Sequence, residues 1–156
     1  YIEILQETFL IPVHPPCFTN RTKELVKMPK IYFLDSGVRN FFVNNFNAGD
    51  VRSDIPYLFE GFVISELVKS GLTPENIKFW RTKSKQEVDM VLDKGGIVSP
   101  VEIKYKKRLK QSDYNGLYRF RKAYPECGTL FMVNPGSNRP TKSGVLQVSP
   151  FELDRM

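Results

Sequence analysis

Residues 87–105 read Glu-Val-Asp-Met-Val-Leu-Asp-Lys-Gly-Gly-Ile-Val-Ser-Pro-Val-Glu-Ile-Lys-Tyr. Val88, Met90 and Leu92 alternate with Asp89, Val91 and Asp93; beyond Gly95-Gly96, Val101, Ile103 and Tyr105 alternate with Glu102 and Lys104. Period two on both sides of a glycine pair predicts two antiparallel strands joined by a tight turn, with no helix anywhere in the stretch. The acids inside the apolar runs are the anomaly. Glu102 and Lys104 must project from one face, about 7 Å apart at roughly 3.3 Å per residue, and one register brings Asp89 beside them. Two carboxylates at one sheet position repel unless a cation lies between them. Oxygen ligands of this kind suit magnesium or manganese, and an ammonium within reach can orient a metal-bound water. The other reading of the same residues is the solvent side of an edge hairpin, where Asp, Glu and Lys are ordinary.

Around this hairpin the chain has the size and composition of one globular domain with a short appendage: 156 residues, 41% hydrophobic, with 12 Phe and 7 Tyr. No apolar run approaches the ~20 residues that span a bilayer, so a membrane protein is not expected. Tyr1 opens the sequence without a charged-then-apolar leader, which suggests a piece of a longer polypeptide. Cys17 and Cys127 have no zinc or disulfide spacing, consistent with a reducing cytoplasm. The net charge of +6 favours phosphates or acidic surfaces as partners. The basic residues cluster in three groups: Arg21, Lys23, Lys27 and Lys30; Arg81, Lys83 and Lys85; and Lys104, Lys106, Lys107, Arg108 and Lys110. The first reads as a solvated loop, while the other two flank the acidic hairpin.

Helical spacing predicts a helix over residues 1–9, broken by the prolines that follow. His14, the only histidine, has no acid or cysteine beside it and reads as structural or exposed. A short strand is expected over 30–34, a capped turn at Asp35 and a helix over 38–46. Residues 57–70 form the most telling helix. Phe59, Phe62, Val63, Glu66 and Ser70 share one face at 100° per residue, so Glu66 is predicted to be buried and to need a cation, a donor or a metal. Glu60 reads instead as a favourable first-turn acid, and Gly71 ends the helix. A strand follows over 77–81, with Trp80 placed either to bury against the preceding helix, the expected role, or to stack on a base. Beyond the hairpin come a helix over 112–124, a buried strand over 129–133 and an edge strand over 145–148. Gly136 to Ser143 imitates a phosphate loop, but Thr141 replaces its second glycine and Pro140 interrupts it, so no ATP site is expected here.

From residue 57 on, the order helix, three strands, helix, strand carries Glu66, then Asp89, then Glu102-Ile103-Lys104. It resembles the PD-(D/E)xK nuclease superfamily, whose restriction-endonuclease-like α/β fold has an αβββαβ core with a mixed sheet flanked by helices. Val88 stands where the literal motif has proline. Lys-Met-Pro-Lys-Ile-Tyr-Phe-Leu-Asp-Ser-Gly over 27–37, Phe-Glu-Gly-Phe-Val-Ile-Ser-Glu-Leu over 59–67 and Phe-Trp-Arg-Thr-Lys-Ser-Lys-Gln-Glu-Val-Asp over 79–89 are, more closely, similar to the DUF4143 domain found at the C-terminus of prokaryotic AAA-type ATPases. The resemblance implies a division into residues 1–26, the tail of a winged helix, and 27–156, the nuclease-like domain, with the ATPase and winged-helix modules on the same polypeptide. It also implies that Asp89, Glu102 and the Ile103 carbonyl hold Mg2+ or Mn2+, that Lys104 is the catalytic lysine and that Glu66 is the helix acid. DNA is then held by Arg81, Lys83, Lys85, Lys106, Lys107 and Arg108, and the expected activity is metal-dependent phosphodiester hydrolysis. The alternative is a non-cleaving module of the same fold that docks DNA or protein for the ATPase.

Overall fold

The hairpin forms as the alternation predicts. Strand β4 (Glu87–Lys94) pairs antiparallel with β5 (Ile97–Ile103), from Lys94 opposite Ile97 to Met90 opposite Val101. Gly95 and Gly96 take φ values of +63° and +87°, the two left-handed residues that match a two-residue turn to the strand twist. The computed structural model describes residues 1–17, 28–82, 86–136 and 144–156. Lys83 and Lys85, Arg21, Lys23 and Lys27, and the phosphate-loop imitation beyond Gly136 lie outside them.

Before the hairpin come α1 (Ile2–Glu7), β1 (Val13–His14), β2 (Lys30–Ile31), α2 (Ser36–Phe42), α3 (Ile55–Lys69) and β3 (Ile77–Arg81). After it come α4 (Asn115–Ala123), β6 (Leu130–Val133) and β7 (Val145–Val148). Strands β3 to β7 form one five-stranded sheet in sequence order. The β3–β4 and β4–β5 pairs are antiparallel, whereas β5–β6 and β6–β7 are parallel. The sheet is therefore mixed, as the α/β assignment expects. From α3 to β6 the order is helix, three strands, helix, strand.

The helices cover opposite faces. Val63, Ile64 and Leu67 of α3 pack with Met90, Leu92, Val101, Ile103, Phe131 and Val133 on one side. On the other, Tyr114, Leu117 and Phe120 pack with Trp80, Val88, Val91, Leu130 and Met132. The odd and even residues of β6 thus divide between two cores, and for that reason the strand reads as a continuous apolar run. Trp80 is core, but it meets the following helix rather than the preceding one: its ring is 5.4 Å from that of Phe120. The β3–β4 register shifts between Lys78 and Trp80, and Val88 consequently sits in the opposite core from Met90 and Leu92. That bulge breaks the simple alternation on which the first strand was read.

Element ends follow local chemistry. Asp35 caps α2 by accepting from the amides of Gly37 and Val38. This helix starts two residues earlier and stops four earlier than its spacing suggested, because Asn44 turns left-handed at φ +48° just beyond it. The strand expected over 30–34 is only Lys30–Ile31. At the end of α3, Gly71 has φ +97°, its amide donates to Val68 and that of Leu72 donates to Leu67. This is the Schellman pattern, and Leu67 and Leu72 meet in the same core. His14 is buried, with Nδ1 2.9 Å from the Ile77 carbonyl, and Pro16 bridges to Phe79. The segment around β1 thereby packs onto β3. None of the residues of α1 is buried. Among the described residues no helix is long and apolar enough to cross a membrane.

Candidate functional site

The β4–β5 ladder ends at Met90 and Val101, and beyond this point the two strands part. Asp89 fills the fork. Its Oδ2 accepts from the Ile103 amide at 2.9 Å, so a carboxylate takes the position that a strand carbonyl would otherwise hold. The β5 chain now leans on β6, where the Lys104 amide donates to the Val133 carbonyl at 2.9 Å. Lys104 turns its ammonium back into the fork, 3.2 Å from Asp89 Oδ2 and 2.5 Å from Glu102 Oε1. Asp89, Glu102 and Lys104 therefore converge, well within the ~8 Å that one metal with its ligands and a neighbouring ammonium spans.

Glu102 is the least comfortable member. Its side chain is 10% exposed, and Oε2 is buried with no hydrogen-bond partner among the described residues. Helix α4 roofs this atom at Gly116, where a Cβ would stand 2.6 Å from the Glu87 carbonyl and 3.0 Å from Glu102 Oε2. Only glycine allows that approach. Burial, then the Asp89 charge, pushes the Glu102 carboxyl up to about 8 against the pull of Lys104. Burial also opposes the Lys104 ammonium, but Asp89 and Glu102 outweigh it and its pKa lies above the ordinary range. One ammonium cannot balance two carboxylates, so the tendency to take a proton stays with Glu102.

A pH dependence follows. A carboxyl whose folded pKa is raised holds a proton that the unfolded chain gives up, so its contribution to stability is present below about 4.5 and is lost as pH rises toward about 8. In metal-free buffer the wild type should lose melting temperature across that window. Glu102→Gln should lack this component, and identical pH profiles for the two proteins would show that Glu102 titrates normally.

The acid that α3 brings to the fork is Glu60. Tyr32 donates its hydroxyl to Glu60 Oε1, and the Lys30 ammonium lies 3.2 Å from the same oxygen and 3.4 Å from the Asp89 carbonyl. Burial, then the nearby Asp89 charge, raises the Glu60 pKa against the opposing pull of Lys30 and Tyr32. Glu66, expected to be buried, points away: its side chain is 37% exposed and pairs with Lys69 at 2.8 Å. Residues 57–68 are apolar around most of the helix circumference, so periodicity left the inward face undetermined. The face that packs is Val63, Ile64 and Leu67, and Glu60 lies on it at i−3, i−4 and i−7. Lys30 and Tyr32 were missed because they arrive from β2 and its exit, remote in sequence. No local pattern signals them.

Of the basic residues predicted to hold DNA, Arg81 is half exposed and 3.5 Å from Glu87, while Lys106 is tied to buried Asp113 at 2.6 Å. Lys107 and Arg108 are exposed in the loop that leaves Lys104.

Among the described residues no group of three His, Cys, Asp or Glu side chains is placed to hold a metal ion. The donor set nevertheless fits one hard divalent cation. Magnesium commonly uses only one or two protein carboxylates and keeps several waters, and the orphaned Oε2 of Glu102 is an oxygen that lacks a partner.

The family described as "Domain of unknown function (DUF4143)" matches residues 57–153, and a second, "Domain of unknown function (DUF8612)", matches residues 1–49. The chain is 26% identical over 141 residues to the uncharacterized protein Rv2008c of Mycobacterium tuberculosis and, equally, to the uncharacterized protein Mb2031c of Mycobacterium bovis. These matches cover 89% of this chain and 31% of each relative, so the chain spans about a third of their length. A chain in a solved assembly of Thermococcus gammatolerans McrB AAA+ hexamers with bound McrC superposes with a TM-score of 0.39 at 18% identity. That likeness covers 60% of this chain and 27% of the other, and is too weak to carry an inference.

Proposed function

The chain belongs to the DUF4143 family, and we propose that its β4–β5 fork is a divalent-cation-dependent nuclease site of the PD-(D/E)xK kind acting on DNA. The observation that carries this reading is the buried, unpartnered Oε2 of Glu102 beside the Asp89–Lys104 pair. A hairpin that merely faced solvent would expose its acids, and a docking module has no need of one buried and one mostly covered carboxylate around a single ammonium. Asp89 and Glu102, with the Ile103 carbonyl, are the residues that would hold magnesium or manganese. The ion would supply a polarised water and offset charge on the leaving oxygen.

The chain's own groups have separate tasks. Lys104 orients the attacking water and meets negative charge as it develops on the phosphoryl oxygens. Glu60 takes the helix-acid role that the motif assigned to Glu66, with Lys30 and Tyr32 fixing its carboxylate. Lys107 and Arg108 hold the DNA backbone close to the fork. We also propose that the domain works within an AAA-type ATPase polypeptide; the greater length of the curated relatives supports this.

Calorimetric titration with magnesium and with manganese tests the cation site. The wild type should bind, and Glu102→Gln should lose the binding while still melting cooperatively. No cation binding by the wild type would favour the non-cleaving docking module.

A further inference from the structure

We propose that the hollow between α2 and α3 beside Tyr105 receives an unstacked base of single-stranded DNA. This inference rests on the nuclease-like reading of the fork next to it and names the form of DNA that the fork takes. The hollow has a volume of about 290 Å³, and Asn40, Ile55, Phe59, Phe62 and Tyr105 are among its lining residues. That volume lies just below the roughly 300–1,000 Å³ typical of small-ligand sites, suited to one planar ring rather than an extended ligand.

Its walls are aromatic, and its position in the chain is telling. Tyr105 is 52% exposed, and its ring centre is 5.4 Å from that of Phe59; Phe59 and Phe62 are near-parallel at 26°. Phe59 adjoins Glu60, and Tyr105 adjoins Lys104, so two of its three aromatic lining residues are chain neighbours of fork residues.

Positive charge continues from the same shelf. Lys107 and Arg108 follow within three residues and are exposed. Their loop is held in place, because fully buried Asn134 donates to the Lys106 carbonyl at 3.0 Å and accepts from Gln147 at 2.5 Å. Asp113 adds the Lys106 ammonium and the Lys110 amide. The far wall is fixed too. Arg52 donates to Asn40 Oδ1 and Asn45 O, and with Arg39 it grips Asp54 at the start of α3. An aromatic shelf running into a rigid basic loop matches the two requirements of a single strand, a π-face for the base and cations for the phosphates. A duplex keeps its base faces stacked and has no ring to offer this hollow.

Fluorescence anisotropy in EDTA, where no cleavage occurs, reads the binding directly. The probes are a labelled thymidine oligonucleotide and a duplex of the same length. Tyr105→Ala and Tyr105→Leu should each weaken the single strand about tenfold and the duplex far less, while Tyr105→Phe should bind as the wild type does. The leucine variant refills the hollow without a π-face, so loss in both variants separates stacking from packing. Equal single-strand affinity in wild type and Tyr105→Ala, or equal losses for both probes, would overturn the base-stacking inference and leave the fork untouched. A wild type that binds neither probe would remove the DNA reading of the fork as well, in favour of a protein partner.

Discussion

Lys104→Ala should lower the stability of the metal-free protein by about 3 kcal/mol, a loss that saturating magnesium should partly reverse. Lys104 is 27% exposed, but the carboxylates it joins are 12% and 10% exposed, so its removal leaves Asp89 and Glu102 facing each other in a poorly solvated fork. Truncating one partner of a buried pair typically costs about 3–5 kcal/mol because the remaining charge is uncompensated; partial exposure of the lysine sets the expectation at the low end. An ordinary surface pair would cost at most about 1 kcal/mol. Urea unfolding with and without magnesium measures both quantities. A small loss, or one that magnesium leaves unchanged, would mean that the ammonium and the cation do not serve the same two carboxylates.

Asp89→Ala should be as damaging, for a different reason. Besides its charge, this side chain supplies the acceptor for the Ile103 amide where the strands part. Alanine leaves the buried Ile103 N–H unpaired, at about 1–3 kcal/mol, and leaves the Lys104 ammonium with Glu102 as its one carboxylate partner in the fork. Asp89→Asn keeps an oxygen for the amide and removes the charge. The asparagine variant should therefore melt close to the wild type yet lose cation binding and cleave at least about 100-fold more slowly, whereas the alanine variant should also lose stability. Equal melting temperatures for the two would show that the Ile103 contact does not hold the fork.

The hairpin was legible because period two, a glycine pair and its flanking apolar residues are local signals. Glu102 and Lys104 came with it, since residues two apart on a strand share a face wherever the strand lies. The fork itself was not legible. It depends on an extra residue in β4 opposite Lys78 to Trp80 and on where the β4–β5 ladder stops, and neither is written in a strand's own alternation. The burial of Glu66 was misread for a related reason: an almost uniformly apolar helix has no unique inward face until a sheet selects one. Glu66→Gln should accordingly change stability by less than about 0.5 kcal/mol, while Glu60→Gln disturbs the fork. Lys30 and Tyr32 reach the site only through the pairing of β1 with β2 and the packing of that segment on β3.

Cleavage is the most direct test of the central claim. Plasmid, linear single strands and branched DNA are incubated with the wild type and with Lys104→Ala, in magnesium and in manganese, with an EDTA control. The account predicts cation-dependent cleavage by the wild type, most readily of single-stranded substrate, and none above background by Lys104→Ala. Absence of cleavage by a wild type that binds the cation, or equal cleavage by the Lys104→Ala protein, would contradict it.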